Sequence, residues 1–166
     1  RVIEHGDTAS TGDERNTQIL YQPNASSYLI GLPSEEVLRE GTTTGGAILS
    51  HKRYYYDNNS THAAAPTKGD LTRSEAWLGT ENRFIGSAAS YDSYGNKTSE
   101  IDPLQYESVT AWATAWGKFP SSSTNALGHV TSQTWDPVCG VPLKNTDPNL
   151  AETNWEYDTL CRKTSE

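Results

Sequence analysis

Apolar positions in this chain come in short clusters separated by polar, turn-forming residues. Ile19-Leu-Tyr21, Tyr28-Leu-Ile30 and the stretch from Ala47 to Tyr56 mark the first half. The two short runs flank Gln-Pro-Asn, a strand–turn–strand signal. In the last third Trp155 and Tyr157 stand two apart, which on a strand puts both rings on one face. Thr131-Ser-Gln-Thr-Trp135 and Thr153-Asn-Trp-Glu-Tyr157 are rich in β-branched and aromatic residues, which suit a pleated surface. Each run ends in Asp, whose side chain bonds its own nearby backbone and favours a turn; Gly95 supplies the permissive position after Asp92.

The pattern repeats. Trp135-Asp136 and Tyr157-Asp158 are 22 residues apart, and Tyr91-Asp92 lies 44 before the first of them. Thr124, Asn125 and Thr131 precede Trp135 in the register in which Thr146, Asp147 and Thr153 precede Tyr157. Thr80, Glu81 and Ser87 overlay them before Tyr91, and Lys97-Thr-Ser-Glu100 recurs as Lys163-Thr-Ser-Glu166. Gly69-Asp-Leu-Thr72, Gly95-Asn-Lys-Thr98 and Gly128-His-Val-Thr131 are parallel too. A fixed period marks a repeat architecture, and 22 residues make about two strands and two turns. Tyr56-Asp57 is a fourth pair, 35 residues before Tyr91 and so out of phase. That predicts an insertion, and Asn58 to Lys68 has the composition of a flexible loop.

Between these landmarks Gly41 to Gly46 reads as a Thr/Gly turn, and Arg1 to Asn16 as a polar linker or a borrowed strand. Leu104 to Pro120 fills the place of a degenerate repeat. Trp112 and Trp116 are four apart, which suits a helix face, but strands joined by an irregular loop fit the context better.

The segment from Thr124 through Trp135-Asp-Pro-Val-Cys-Gly-Val-Pro142 to Pro148, followed by Trp155-Glu-Tyr-Asp158, resembles the YD repeats of the RHS family. It is most similar to the B component of bacterial Tc toxin complexes and to SpvB-like shell proteins. Gly31-Leu-Pro33 resembles a further copy of Gly140-Val-Pro142. The resemblance is strongest over residues 80–166 and looser over 28–79. It implies an all-β fold of antiparallel β-hairpin repeats forming part of a spiralling β-shell. Residues 28–166 would be the YD-repeat sheet and residues 1–27 a linker or edge segment. Ser34 to Glu40, which alone also suits a Ser-capped helical turn, becomes a strand. Tyr56, Asp57, Tyr91, Asp92, Gly95, Gly128, Trp135, Asp136, Tyr157 and Asp158 become structural repeat residues. In the family such shells enclose a toxic polypeptide, and the related teneurins are cell-surface adhesion proteins. The implied partners are other segments of the same shell or a larger toxin-like assembly, in a secreted or surface setting. The Asp-rich core motif of self-cleaving members has no counterpart in these residues, so that activity is not carried over.

Charge and composition narrow the alternatives. Thirteen basic against 21 acidic residues give a net charge of −8, which argues against nucleic-acid binding. With 34% hydrophobic residues and a mean hydropathy of −0.71, the chain suits a thin sheet better than a thick core. No apolar run approaches the ~20 residues of a membrane helix. The opening has neither Met nor a signal-like stretch, which reads as the interior of a longer precursor.

No Gly-x-Ser-x-Gly elbow, His-Glu-x-x-His pair or phosphate loop occurs. The recurring carboxylates follow aromatics at strand ends, where turn capping explains them better than acid–base catalysis. His51 and His62 flank the insertion, but surface histidines are far commoner than metal ligands. The reading is therefore a non-enzyme without cofactor or metal. A second class of function is a glycan- or receptor-binding adhesin, with Trp112 and Trp116 stacking on sugar rings. Asn24, Asn58, Asn59 and Asn96 head Asn-x-Ser/Thr tripeptides in expected turns, where an acceptor must be exposed. Cys139 and Cys161 are one period apart, each four residues after the aromatic. Equivalent positions two strands apart stand about 9.6 Å from each other, beyond disulfide reach, so the register predicts free thiols.

Overall fold

The computed structural model describes residues 2–6, 12–113 and 117–166, in two compact units, Arg1–Ala89 and Ser90–Glu166. Strands account for nearly all of its regular structure. Among the described residues the helical element is one 3-10 turn, Ala25–Ser27.

In the first unit the strands follow in chain order: β1 (Val2–Glu4), β2 (Arg15–Tyr21), β3 (Pro33–Glu40), β4 (Ile48–Tyr56), β5 (Leu71–Leu78) and β6 (Arg83–Tyr91), whose end lies past the unit's boundary. Each pairs antiparallel with the next. The register sets Leu20, Glu35, Arg53, Glu75 and Gly86 directly opposite one another across five strands. Gly86 is needed there, because a Cβ would stand 2.8 Å from the Ser74 carbonyl oxygen and 3.1 Å from Glu75 Cγ.

The second unit holds β7 (Lys97–Ile101), β8 (Glu107–Trp112), β9 (Pro120–Thr124), β10 (Val130–Asp136), β11 (Val141–Thr146) and β12 (Glu152–Asn154), again each antiparallel to the next. One 22-residue period is thus two strands and two turns. After Trp155 the ladder breaks. β13 (Glu156–Tyr157) pairs with β14 (Lys163–Ser165) as a separate two-stranded hairpin.

The core is thin. The buried apolar side chains among the described residues are Val37, Tyr55, Tyr56 and Pro66. Leu127, Val138 and Leu150 are 77%, 92% and 80% exposed. Asn58 to Lys68 is a loop, and Ser34 to Glu40 lies in β3. Tyr28-Leu-Ile30 is not the expected strand. Asn24 caps the 3-10 turn with its own side chain, Tyr28 enters the left-handed region at φ 56°, and a single bridge from Asn24 to Leu29 is all that forms. Local Asn-to-backbone bonding has displaced the ladder.

Candidate functional site

The recurring aromatic-Asp pair is a two-part fastener. Its first half is the ring. Register shifts, the mark of a β-bulge, fall between Tyr55 and Tyr56, Ala111 and Trp112, Thr134 and Trp135, and Glu156 and Tyr157. A bulge re-aims the side chain that follows it. Three of the re-aimed rings tie back to the first residue of the preceding strand. Tyr56 Oη donates to the Pro33 carbonyl (3.0 Å), Trp112 Nε1 to Lys97 (2.9 Å) and Trp135 Nε1 to Pro120 (2.7 Å). Trp135 also stacks on Phe119, ring centroids 5.1 Å apart.

The second half is the carboxylate. Asp92 Oδ1 accepts the N–H groups of Tyr94 and Asn96, and Asp158 Oδ1 those of Leu160 and Arg162. The same two bonds close turns at Asp102, Asn125 and Asp147. Each of these turns puts its fourth residue at positive φ: Gly95, Gln105, Gly128, Leu150 and Cys161. Asp136 heads a longer variant, bonding Val138 and Cys139 N–H, with Gly140 taking the positive φ. Desolvation pushes the Asp92 carboxyl up, but the Asn96 side chain and the N–H groups of Asn96, Tyr94 and Gly95 hold it below the usual range. At Asp158 the Arg162 N–H leads in lowering it, against a smaller opposing desolvation.

Glu81, aligned by sequence with Asn125 and Asp147, does not cap. Its longer side chain bonds Arg83 Nε instead (2.6 Å). Asp102 and Trp112 were the missed members. The signal for Asp102 was its place ten residues after Asp92, and Trp112 was obscured because Ala113 follows where Asp is expected.

Tyr56-Asp57 carries the insertion. Asp57 N–H reaches the Asp70 carbonyl (2.8 Å), the bond that Asp92 makes to Asn96 in the compact turn. Its carboxylate accepts the backbone N–H groups of Thr67, Lys68, Gly69 and Asp70 at 2.6–3.1 Å. Asn24 Nδ2 donates to the carbonyl of Pro66, which is fully buried (2.8 Å). Inside the loop His62 stands edge-on to Tyr55 and 3.9 Å from Glu35 Oε1, which His51 Nε2 meets at 2.6 Å. Arg53 and Arg73 lie over the rings of Phe84 and Tyr55, at 4.0 and 3.7 Å. Arg53 Nε stands 3.7 Å from the same Glu35 oxygen, so that carboxylate faces a guanidinium as well as the two imidazoles. Among the described residues no group of three or more His, Cys, Asp or Glu is arranged to hold a metal.

The four Asn acceptors differ. Asn24 and Asn96 donate their amides, Asn96 to Asp92 Oδ2 (3.0 Å) and to the Gly117 carbonyl (2.6 Å). Asn59 Nδ2 is buried, and Asn58 is exposed. Trp112 is half-buried with its N–H engaged; Trp116 lies outside the described residues. A hollow of about 110 Å³ between β9 and β10, lined by Pro120, Ser122, Ser123, Thr131 and Gln133, is smaller than ordinary ligand pockets.

The cysteine expectation fails. Cys139 and Cys161 are bonded, with Cα atoms 5.6 Å apart. The 9.6 Å spacing assumed an unbroken ladder, whereas β13 leaves the ladder at Trp155 and β10 is bulged before Trp135.

No protein-family model matches the chain, and no curated protein does. Solved structures match. The crystal structure of TcdB2-TccC3 aligns with a TM-score of 0.67 at 13% identity, over 90% of this chain and 11% of that one. TcdB2-TccC3 without its hypervariable C-terminal region gives 0.69 at 13% identity, over 90% of this chain and 10% of that one. The fold is shared. This chain spans about a tenth of the length of those chains. Likeness at this identity concerns architecture, and the architecture is the one that the YD-repeat resemblance implied.

Proposed function

We propose that this chain is a structural segment of a YD-repeat shell in a toxin-complex-like or toxin-derived protein, secreted or at a cell surface. It acts by enclosure and by packing against neighbouring segments of the same shell. The observation that carries this reading is the fold shared with TcdB2-TccC3 over 90% of the chain. The thin core supports it, since exposed apolar residues such as Leu127 and Val138 await cover from outside the chain. So does the chemistry of the repeat carboxylates, which are spent on backbone N–H groups and not on a reacting centre.

Sequencing the parent gene and imaging its product by electron microscopy tests the proposal. The expected result is a parent several times longer than 166 residues, with further aromatic-Asp repeats and a hollow particle. A stable monomer of residues 1–166 that binds a glycan array, and loses binding on Trp112→Ala, would overturn it in favour of an adhesin.

A further inference from the structure

We propose that Cys139–Cys161 is a thiol–disulfide exchange site whose opening by a dithiol reductant releases the hairpin β13–β14 while the ladder from β7 to β12 stays folded.

Three observations carry it. The hairpin pairs two residues with three, and residues 161–166 are all exposed. A two-stranded hairpin with so little burial is marginal on its own. Its described ties to the rest of the unit are the disulfide and one backbone bond, Trp155 N–H to the Leu143 carbonyl at 2.9 Å. Finally, Cys161 has φ 63° at the turn position that Gly95 and Gly128 occupy elsewhere. A side chain there is held against its backbone preference, as it is at Gln105 and Leu150, and at Cys161 the position also carries a bond across 22 residues.

Cys161 is exposed and Cys139 half-buried, so Cys161 Sγ is the half open to attack. A thiolate of the dithiol attacks Cys161 Sγ, forming a mixed disulfide and expelling Cys139 as a thiolate, which takes up a proton. The reductant's second thiol, on losing its proton, attacks the mixed disulfide and frees the Cys161 thiolate. Two electrons pass to the protein, and the reductant ends as its cyclic disulfide. Exposed disulfides are the ones that exchange readily.

Hydrogen exchange with mass spectrometry on the full chain tests this, comparing the oxidised protein, the protein treated with dithiothreitol, and the double variant Cys139→Ser/Cys161→Ser. Amides of residues 155–166 are expected to exchange about tenfold faster or more in both bond-free forms, with residues 97–146 changed by less than about twofold. Equal protection of the hairpin with and without the bond would overturn the proposal. So would loss of protection along the whole ladder, or a disulfide that native-state dithiothreitol leaves intact.

Discussion

Trp135 donates its indole N–H to the backbone carbonyl of Pro120, fifteen residues earlier, at 2.7 Å. Trp112 makes the corresponding bond to Lys97, also fifteen residues back, at 2.9 Å. These two indoles are therefore ties between neighbouring strands as well as apolar cover. Phe keeps most of the ring and removes only the donor. Trp135→Phe should cost about 1–2 kcal/mol, the penalty of stranding a part-buried carbonyl, and Trp112→Phe about 0.5–1 kcal/mol, because water can reach the exposed Lys97 carbonyl. Urea denaturation measures it, and a cost within error of zero for both would show that the rings act by packing alone.

Left-handed turn positions make an opposite prediction. Leu150 (φ 66°) and Gln105 (φ 69°) occupy the place taken by Gly128 (φ 79°). Leu150 is 80% exposed, so little packing is lost on truncation. Leu150→Gly and Gln105→Gly should stabilise by roughly 0.5–1 kcal/mol, the relief of left-handed strain less the entropy of an added glycine. Gly128→Ala should destabilise by about 1–2 kcal/mol. The three midpoints shifting in one direction would refute the turn assignment.

The strands and the 22-residue period were legible because alternation and aromatic-Asp pairs are local signals. Two strands per period and the insertion after Asp57 followed from them. The partner of each ring was not legible. That Trp112 and Trp135 aim at carbonyls depends on bulges, and a bulge adds one residue without any composition of its own. The disulfide was misread for the same reason, since regular spacing was extended past Trp155, where the ladder stops. Glu81 shows the limit of aligned positions: a carboxylate in the right register caps only if its length suits the turn.

The Asn acceptors separate in the folded chain. Only Asn58 combines an exposed side chain with an amide outside the described hydrogen bonds and buried atoms. Secreted from a eukaryotic host, the chain is expected to carry a glycan at Asn58 and none at Asn59 or Asn96, because a sugar there would displace buried or bonded nitrogen. Peptide masses before and after deglycosylation read this directly. Full occupancy at Asn59 or Asn96 in folded material would contradict the placement of those side chains.

Acid should loosen the insertion loop through Asp57. Partial burial pushes the Asp57 carboxyl up, but the N–H groups of Lys68, Thr67, Gly69 and Asp70 outweigh it and hold the group below its ordinary value of 3.8. A carboxylate with a depressed folded pKa contributes stability that is present above the unfolded value and lost as pH falls through the folded one. Loop protection should therefore be constant from neutral pH down to about 4 and fall only below that. Asp57→Asn separates charge from shape. Its amide replaces one acceptor oxygen with a donor, which faces the Thr67 and Lys68 N–H groups bound by Oδ2. The variant should lose about 1–2 kcal/mol of loop protection at neutral pH. Its remaining protection should no longer carry Asp57's share of the fall below pH 4. Hydrogen exchange of residues 66–71 across the pH series distinguishes the two forms. An unchanged acid response in Asp57→Asn would assign that response to another carboxyl group.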